Sequence, residues 1–463
     1  MLFTLDRPKP ALPNSYFWTW DHSTNWMLDD PGLQNSGCYN AYLKHPDTFV
    51  QDYRRLVDFA AALGVKGIVI WGFLRDSHGG VDAAKRVAGY AASKNVSIMP
   101  GVGTTWYGGV YYEGDHPYSL RRFLREHPDM RMLDEYGHPR GENGEYGACP
   151  ATPEYRQWLR ESLSWLFREF EIGGVNLENG DLLTDYHPAT QALRADWPPD
   201  DQEFFFFQGL SYRQALAALQ DRLPHILGTY ATYTGFNFGR DIRDQSDYSI
   251  SSMGSKPPAM LSILPEESIC QWTLSGMVFQ RPLPLMAYLD DGAPQAAFDN
   301  PAWPAELKTV NKHSVGFLHQ GSQWSHIGRY ECAVSSIKEA CLRAFRSGLE
   351  GVSIHGEVTS QHIPYALNYL AFSHFIHWPE DSLRDFGRVT LASVLGSAVD
   401  GEVYAEVLAH ADAGEVTEAD RKWLRERLGG YNTFNTDLQA FQRNRFYLWL
   451  QQRIDRNEVT GFF

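Results

Sequence analysis

An α/β fold, a (β/α)8 TIM barrel carrying a C-terminal helical extension, is predicted by three features of this sequence. Eight short apolar runs recur between residues 15 and 355. Stretches with helical spacing separate most of them. Beyond Ser360 the apolar spacing becomes wholly helical.

The first run, SYFWTW at 15–20, reads as a strand. Residues 46–64 set Phe49, Tyr53, Leu56, Val57, Ala60 and Leu63 at helical spacing, and Gly64 suits the stop after a helix. The run VKGIVIWGF at 65–73 is almost continuously apolar, as expected of a parallel strand covered on both faces. A helix over 81–94 leads to a third strand at 96–102. A helix over 153–170 leads to GVNL at 174–177, and one over 204–222 to a strand at 226–233. Strands at 269–274 and 314–319 follow, then a long helix over 330–347 and the eighth strand, GVSIH, at 351–355. Five further helical stretches cover 365–377, 383–395, 402–413, 418–428 and 433–457. These limits predict a barrel over 1–362 and a helical region over 363–463 packed on it. A doubly wound open sheet is the competing arrangement. It is disfavoured because no Gly-rich phosphate fingerprint follows the first strand.

Composition narrows the function. The 463 residues carry a net charge of −15, with 43% hydrophobic and 14% aromatic residues. That is globular, and too acidic for a duplex nucleic-acid binder without a local basic face. No apolar run reaches the ~18–20 residues of a bilayer span, so no membrane partner is expected. The five cysteines form no CxxC pair, which points to a reducing compartment rather than a disulfide framework. No apolar leader is visible at the start of the sequence, so a cytoplasmic location is expected. Neither a GxSxG elbow nor a Walker motif nor HExxH occurs. No cofactor and no metal are therefore expected, although His residues near several strand ends leave a metal-dependent alternative open. The EFFFF cluster at 203–207 reads as a buried helix start or a contact between copies in a homo-oligomer.

Chemistry in such a barrel sits at the carboxyl ends of the strands. The first strand delivers Asp21 and His22 there. The second ends at Trp71, with Asp76 and His78 just beyond; the third leads to Trp106 and Tyr107. The fourth carries Asn176 and is followed by Glu178 and Asp181; the fifth includes Tyr230 and the sixth Trp272. The seventh leads to Gln323 and Trp324, and the eighth ends at His355 with Glu357 two residues on. Flat rings pack on the C–H face of a sugar while polar neighbours bond its hydroxyls, so this mixture suits a carbohydrate substrate. Glu178 stands out. An acid directly after the apolar run GVNL is costly inside a barrel and useful at its mouth. Glu357 stands in the same relation to the eighth strand. Two such carboxylates suffice for glycoside hydrolysis, one donating a proton and the other acting as nucleophile or base. Asp181 would orient Glu178 or bind a hydroxyl. The Gly-rich segment 103–150 is expected to wall or lid the mouth.

The segments FWTWDHSTNW, VIWGFLRDSHGG and GGVNLENGD, with the tail GEVTSQHIPYALNYLAFSHFIHWPEDSLRDF, resemble glycoside-hydrolase-like barrels of the α-glucuronidase and β-hexosaminidase group. The resemblance implies an acid after strand four, the position of Glu178. The β-hexosaminidases carry an adjacent Asp-Glu pair there, whereas this chain has Leu177-Glu178. The expectation is an exo-acting glycosidase with Glu178 as general acid and Glu357 as nucleophile or base. A metal-dependent sugar isomerase, epimerase or lyase, and a non-catalytic carbohydrate-binding barrel, are the alternatives.

Overall fold

The computed structural model describes residues 7–21, 44–142, 145–179, 184–197, 203–219, 225–228, 264, 268–273, 313–318, 332–346, 348–355, 363–429 and 438–456. The fold is α/β. Its main strands are β1 (Tyr16–Trp20), β2 (Gly67–Trp71), β3 (Ser97–Gly103), β6 (Val175–Glu178), β7 (His225–Gly228), β8 (Ile269–Thr273), β9 (His313–Leu318) and β10 (Val352–His355). They hydrogen-bond in parallel as a closed barrel in the order β1-β10-β9-β8-β7-β6-β3-β2, with β2 paired back to β1. Each lies within a few residues of a strand expected from the apolar runs.

Side chains alternate between two cores, as the pleat requires. Trp18, Trp20, Val69, Trp71, Met99 and Phe317 fill the inside. Phe17, Ile68, Ile70, Ile98, Val102 and Leu177 face the surrounding helices. Those helices include α1 (Pro46–Ala62), α2 (Gly80–Ser93), α4 (Pro153–Glu169), α6 (Glu203–Leu219) and α7 (Val334–Arg346). Between β3 and α4 runs an excursion the apolar pattern did not resolve. It holds α3 (Leu120–Glu126) and a two-stranded antiparallel ribbon, β4 (Gly141–Glu142) with β5 (Glu145–Tyr146). A short helix, α5 (Pro188–Leu193), follows β6.

The chain continues as α8 (Ile363–His377), buried on every side. Its Tyr369 meets Phe17 edge-on at 4.9 Å, and Ser373 Oγ donates to the Leu63 carbonyl at 2.6 Å. The expected helix over 383–395 is broken into α9 (Leu383–Phe386), a π-turn at Gly387–Leu391 and α10 (Ala392–Leu395). The cause is a crossing at which Gly387 lies directly on the backbone of Gly401 in α11 (Ala398–Ala413). Helices α12 (Glu418–Gly429) and α13 (Leu438–Arg456) complete the described chain. Among the described residues, no helix is long and apolar enough to cross a membrane.

The packing of α8 makes stability depend on pH. Burial, and then the nearby Arg7 guanidinium, lower His374 to about 3 and His377 to about 4. Asp381, 3.3 Å from His374 Nε2, does not reverse this. In the unfolded chain both rings take up protons near an ordinary value of about 6.5. The unfolded state therefore binds more protons below that pH, and stability falls as the solution is acidified toward pH 4. Melting temperatures measured across this window should decline less steeply for His374→Gln than for the parent chain. Parallel curves would remove His374 from the effect.

Candidate active site

The inside of the barrel is filled from below by tryptophan. Trp18 and Trp71 both donate their indole N–H to Asn176 Oδ1, at 3.2 and 2.9 Å. Gly101 is the β3 position paired with Asn176, and a Cβ there would strike the Trp71 ring. One layer up, the row Gly103–Glu178–Gly228–Gln271 runs across β3, β6, β7 and β8. Glycine stands on both neighbouring strands, Gly103 because the Trp106 carbonyl fills the place of a side chain there, and Glu178 is buried. Gln271 is fully buried too, and neither of its amide atoms has a hydrogen-bond partner among the described residues.

The loop after β3 is fastened to the end of β6. The Glu178 carbonyl accepts from Thr104 N at 2.7 Å and Thr104 Oγ1 at 3.2 Å. The Asn179 carbonyl accepts from Thr105 Oγ1 at 2.8 Å. The same loop carries Trp106 and Tyr107, whose rings stack at 4.9 Å. Tyr107 also meets Trp20 and Trp71 edge-on, at 5.9 and 5.6 Å. Its φ of 51° is left-handed, a conformation that costs a non-glycine residue about 1–3 kcal/mol and is held by the surroundings. On the far side of Glu178, Tyr212 of α6 donates to Asn179 Oδ1 at 3.3 Å. Burial, and next the Glu178 charge, push the Tyr212 phenol well above its ordinary value. Tyr212 therefore stays protonated beside the carboxylate.

A second polar group lies at the ends of β1 and β2. Arg75 Nε meets Asp21 Oδ2 at 2.7 Å, its other nitrogens reach Asp21 Oδ1 and Glu113, and its guanidinium lies 4.7 Å over the Tyr112 ring. Burial opposes the Arg75 charge, but Asp21 and then Tyr112 and Glu113 outweigh it and raise its pKa. Asp21 is thus a neutralised partner rather than an open carboxylate.

Of the residues expected to form a site, Trp71, Trp106, Tyr107, Asn176, Glu178 and His355 share the barrel interior. His355 lies edge-on to Trp18 at 4.8 Å. Asp21 is one correction, and three more follow. His78 is stacked flat on Phe49 of α1 at 3.8 Å, and its Nε2 meets the Gly72 carbonyl at 2.8 Å. It belongs to the outer layer, where burial lowers its pKa and keeps it neutral. Asp76 accepts from the Tyr111 hydroxyl and from Asp115 N at 3.0 Å, bracing the excursion after β3. Trp71 is fully enclosed among its neighbours and presents no face to solvent. His22, Asp181, Tyr230, Gln323, Trp324 and Glu357, and the side chain of Trp272, lie outside the described residues. Thr104 and Gln271 stand at the expected ends of the third and sixth strands, while Tyr212 was missed. Gln271 left a clear trace, a polar residue inside the apolar run ICQWT. Among the described residues no group of three or more His, Cys, Asp or Glu side chains is arranged to hold a metal ion.

Replacing Asn176 by Ala should leave two buried indole N–H groups without their acceptor, at a cost of about 2–4 kcal/mol. Denaturant unfolding of Asn176→Ala measures it, and an unchanged midpoint would refute the bridging role.

No protein-family model and no curated protein sequence matches the chain. Solved structures that resemble it at a distance include glycoside hydrolases, β-hexosaminidases among them. The β-N-acetylhexosaminidase from Bacteroides fragilis is 13% identical, covering 79% of this chain and 66% of its own, with a TM-score of 0.46. A GH138 enzyme targeting pectin rhamnogalacturonan II is 10% identical, covering 92% and 46%, with a TM-score of 0.46. The PgaB glycoside hydrolase domain from Bordetella bronchiseptica is 13% identical, covering 80% and 99%, with a TM-score of 0.45. The chain thus spans less than two thirds of the length of the first two.

Proposed function

We propose that this chain is an exo-acting glycoside hydrolase of TIM-barrel architecture, with the barrel over 1–362 and a helical extension over 363–463. One observation carries the reading. Glu178 is a buried carboxylate at a strand's carboxyl end, on the row of Gly103 and Gly228, in the barrel that also encloses Trp106 and Tyr107. A buried carboxylate at the carboxyl end of a barrel strand stands where such folds carry their chemistry. We assign it the role of general acid, delivering a proton to the leaving oxygen.

The partner carboxylate in this reading is Glu357, two residues beyond His355. Strand β10 stands four steps from β6 around the ring of eight, on the opposite side. That arrangement favours two carboxylates facing each other across the mouth. Asp181 is proposed to assist Glu178. Trp106, Tyr107, His22, Tyr230, Trp272, Gln323, Trp324 and His355 are proposed to line the sugar pocket, with Gln271 added for its buried amide. In a sugar-bound structure a carboxylate separation of about 5–5.5 Å would give retention, and roughly 6.5–9.5 Å inversion.

Glu178→Gln keeps the shape of the side chain and removes the acidic proton. An accepted sugar is found by screening 4-nitrophenyl glycosides of a panel of monosaccharides; on an unactivated glycoside of that sugar, whose alkoxide leaving group needs the proton, turnover should fall by ~10²–10⁴-fold with the melting temperature preserved. Turnover near the parent level would exclude Glu178 as the acid.

A further inference from the structure

The described residues include three exposed tyrosines, and all three lie on one structure. Tyr136 is 76% exposed, Tyr186 41% and Tyr146 39%. Tyr136 and Tyr146 belong to the excursion after β3, and Tyr186 to the segment after β6. These two segments are locked together. Leu133 N donates to Asp185 Oδ1 at 3.0 Å, Tyr186 N donates to the Leu133 carbonyl at 3.0 Å, and Arg140 donates to Thr184. Both follow carboxyl ends of barrel strands, so the shelf they form stands at the mouth. Its root confirms the position. Met132 is buried in the inner cluster with Trp106 and Tyr107, and Ala148 N donates to the Thr105 carbonyl at 2.7 Å.

The shelf is rigid where it displays its rings. Asp134 Oδ1 accepts from Tyr136 N at 2.9 Å and His138 N at 2.8 Å, and Gly137 takes a left-handed φ of 83° to close the turn. The Arg131 guanidinium sits 4.2 Å over the Tyr146 ring and fixes it. Exposed rings held on a braced element beside a mouth are available to a bound molecule. Tyrosine offers a flat apolar face with a hydroxyl at its tip, which suits a chain of hydroxylated rings better than a wholly apolar partner.

We propose that this shelf binds the leaving-group side of an extended glycan, so that the substrate is an oligosaccharide or polysaccharide and not a small monosaccharide conjugate. The proposal rests on the glycosidase reading for its placement, with the terminal sugar in the barrel and the chain running out over Tyr186 and Tyr136.

The test compares the parent chain with Tyr136→Ala, Tyr186→Ala, the double variant and the corresponding Phe variants. Substrates are the aryl glycoside accepted in the screen and the di- to pentasaccharides of the same sugar. The expected result is a KM on the longer chains raised roughly two- to ten-fold per ring removed. Kinetics on the aryl glycoside should be unchanged, and the Phe variants should behave like the parent. Variants matching the parent at every chain length would overturn the proposal and leave the tyrosines to a protein contact. If the parent cleaves no glycoside, the hydrolase reading fails by itself. The shelf is then judged on immobilised oligosaccharides. Binding by the parent that is lost in the double Ala variant upholds it, and binding that is absent or unaffected overturns it.

Discussion

Trp18 and Trp71 direct their indole N–H groups at the same oxygen, Oδ1 of Asn176, and the barrel interior is arranged around that shared acceptor. Two large rings from neighbouring strands could not occupy one layer of a closed barrel unless the other strands yielded space. Gly101 yields it under the Trp71 ring. With the lower interior sealed by these rings, the layer above is left for something other than packing. It is there that Glu178 and Gln271 sit, on the row that also holds Gly103 and Gly228.

Charge is separated by the same geometry. At the ends of β1 and β2, Arg75 is shared between Asp21 and Glu113, and its charge is met within the protein. Around Glu178 the described neighbours are of another kind: glycine, the hydroxyl-bearing Thr104 and Tyr212, and aromatic rings. A buried ion pair with both partners in place is costly to disturb and chemically quiet.

The strands were legible because a parallel strand covered on both faces is a nearly unbroken apolar run, and no other element of that length looks like it. Glu178 was legible for the converse reason, an acid where the run should have stayed apolar. His78 was not. It follows β2 closely in sequence, but the turn after Trp71 carries it to the outer layer, and sequence distance from a strand end does not say on which side of the sheet a side chain will lie. Asp21 and Asp76 were expected to contact substrate because their partners, Arg75 for one and Tyr111 with the Asp115 amide for the other, are fixed only by the fold. The ribbon of β4 and β5 escaped notice because two-residue strands have no periodicity to detect. The interruption in 383–395 depends on a contact between Gly387 and Gly401, which no local pattern encodes.

The short loop from Gly103 to Gly109 closes on itself, with Gly103 N bonded to the Gly109 carbonyl and a Cβ at 103 excluded by the Trp106 carbonyl. Its Thr104 also grips the backbone of Glu178. Such a collar tolerates neither insertion nor deletion, since any change of length would displace the acid with it. The longer stretch that follows lies outside this collar, and its Tyr136 is displayed on a turn. Descendants of this chain could therefore exchange one substrate for another by redrawing that outer wall while inheriting the collar unchanged, which makes the wall the natural target for engineering new specificity.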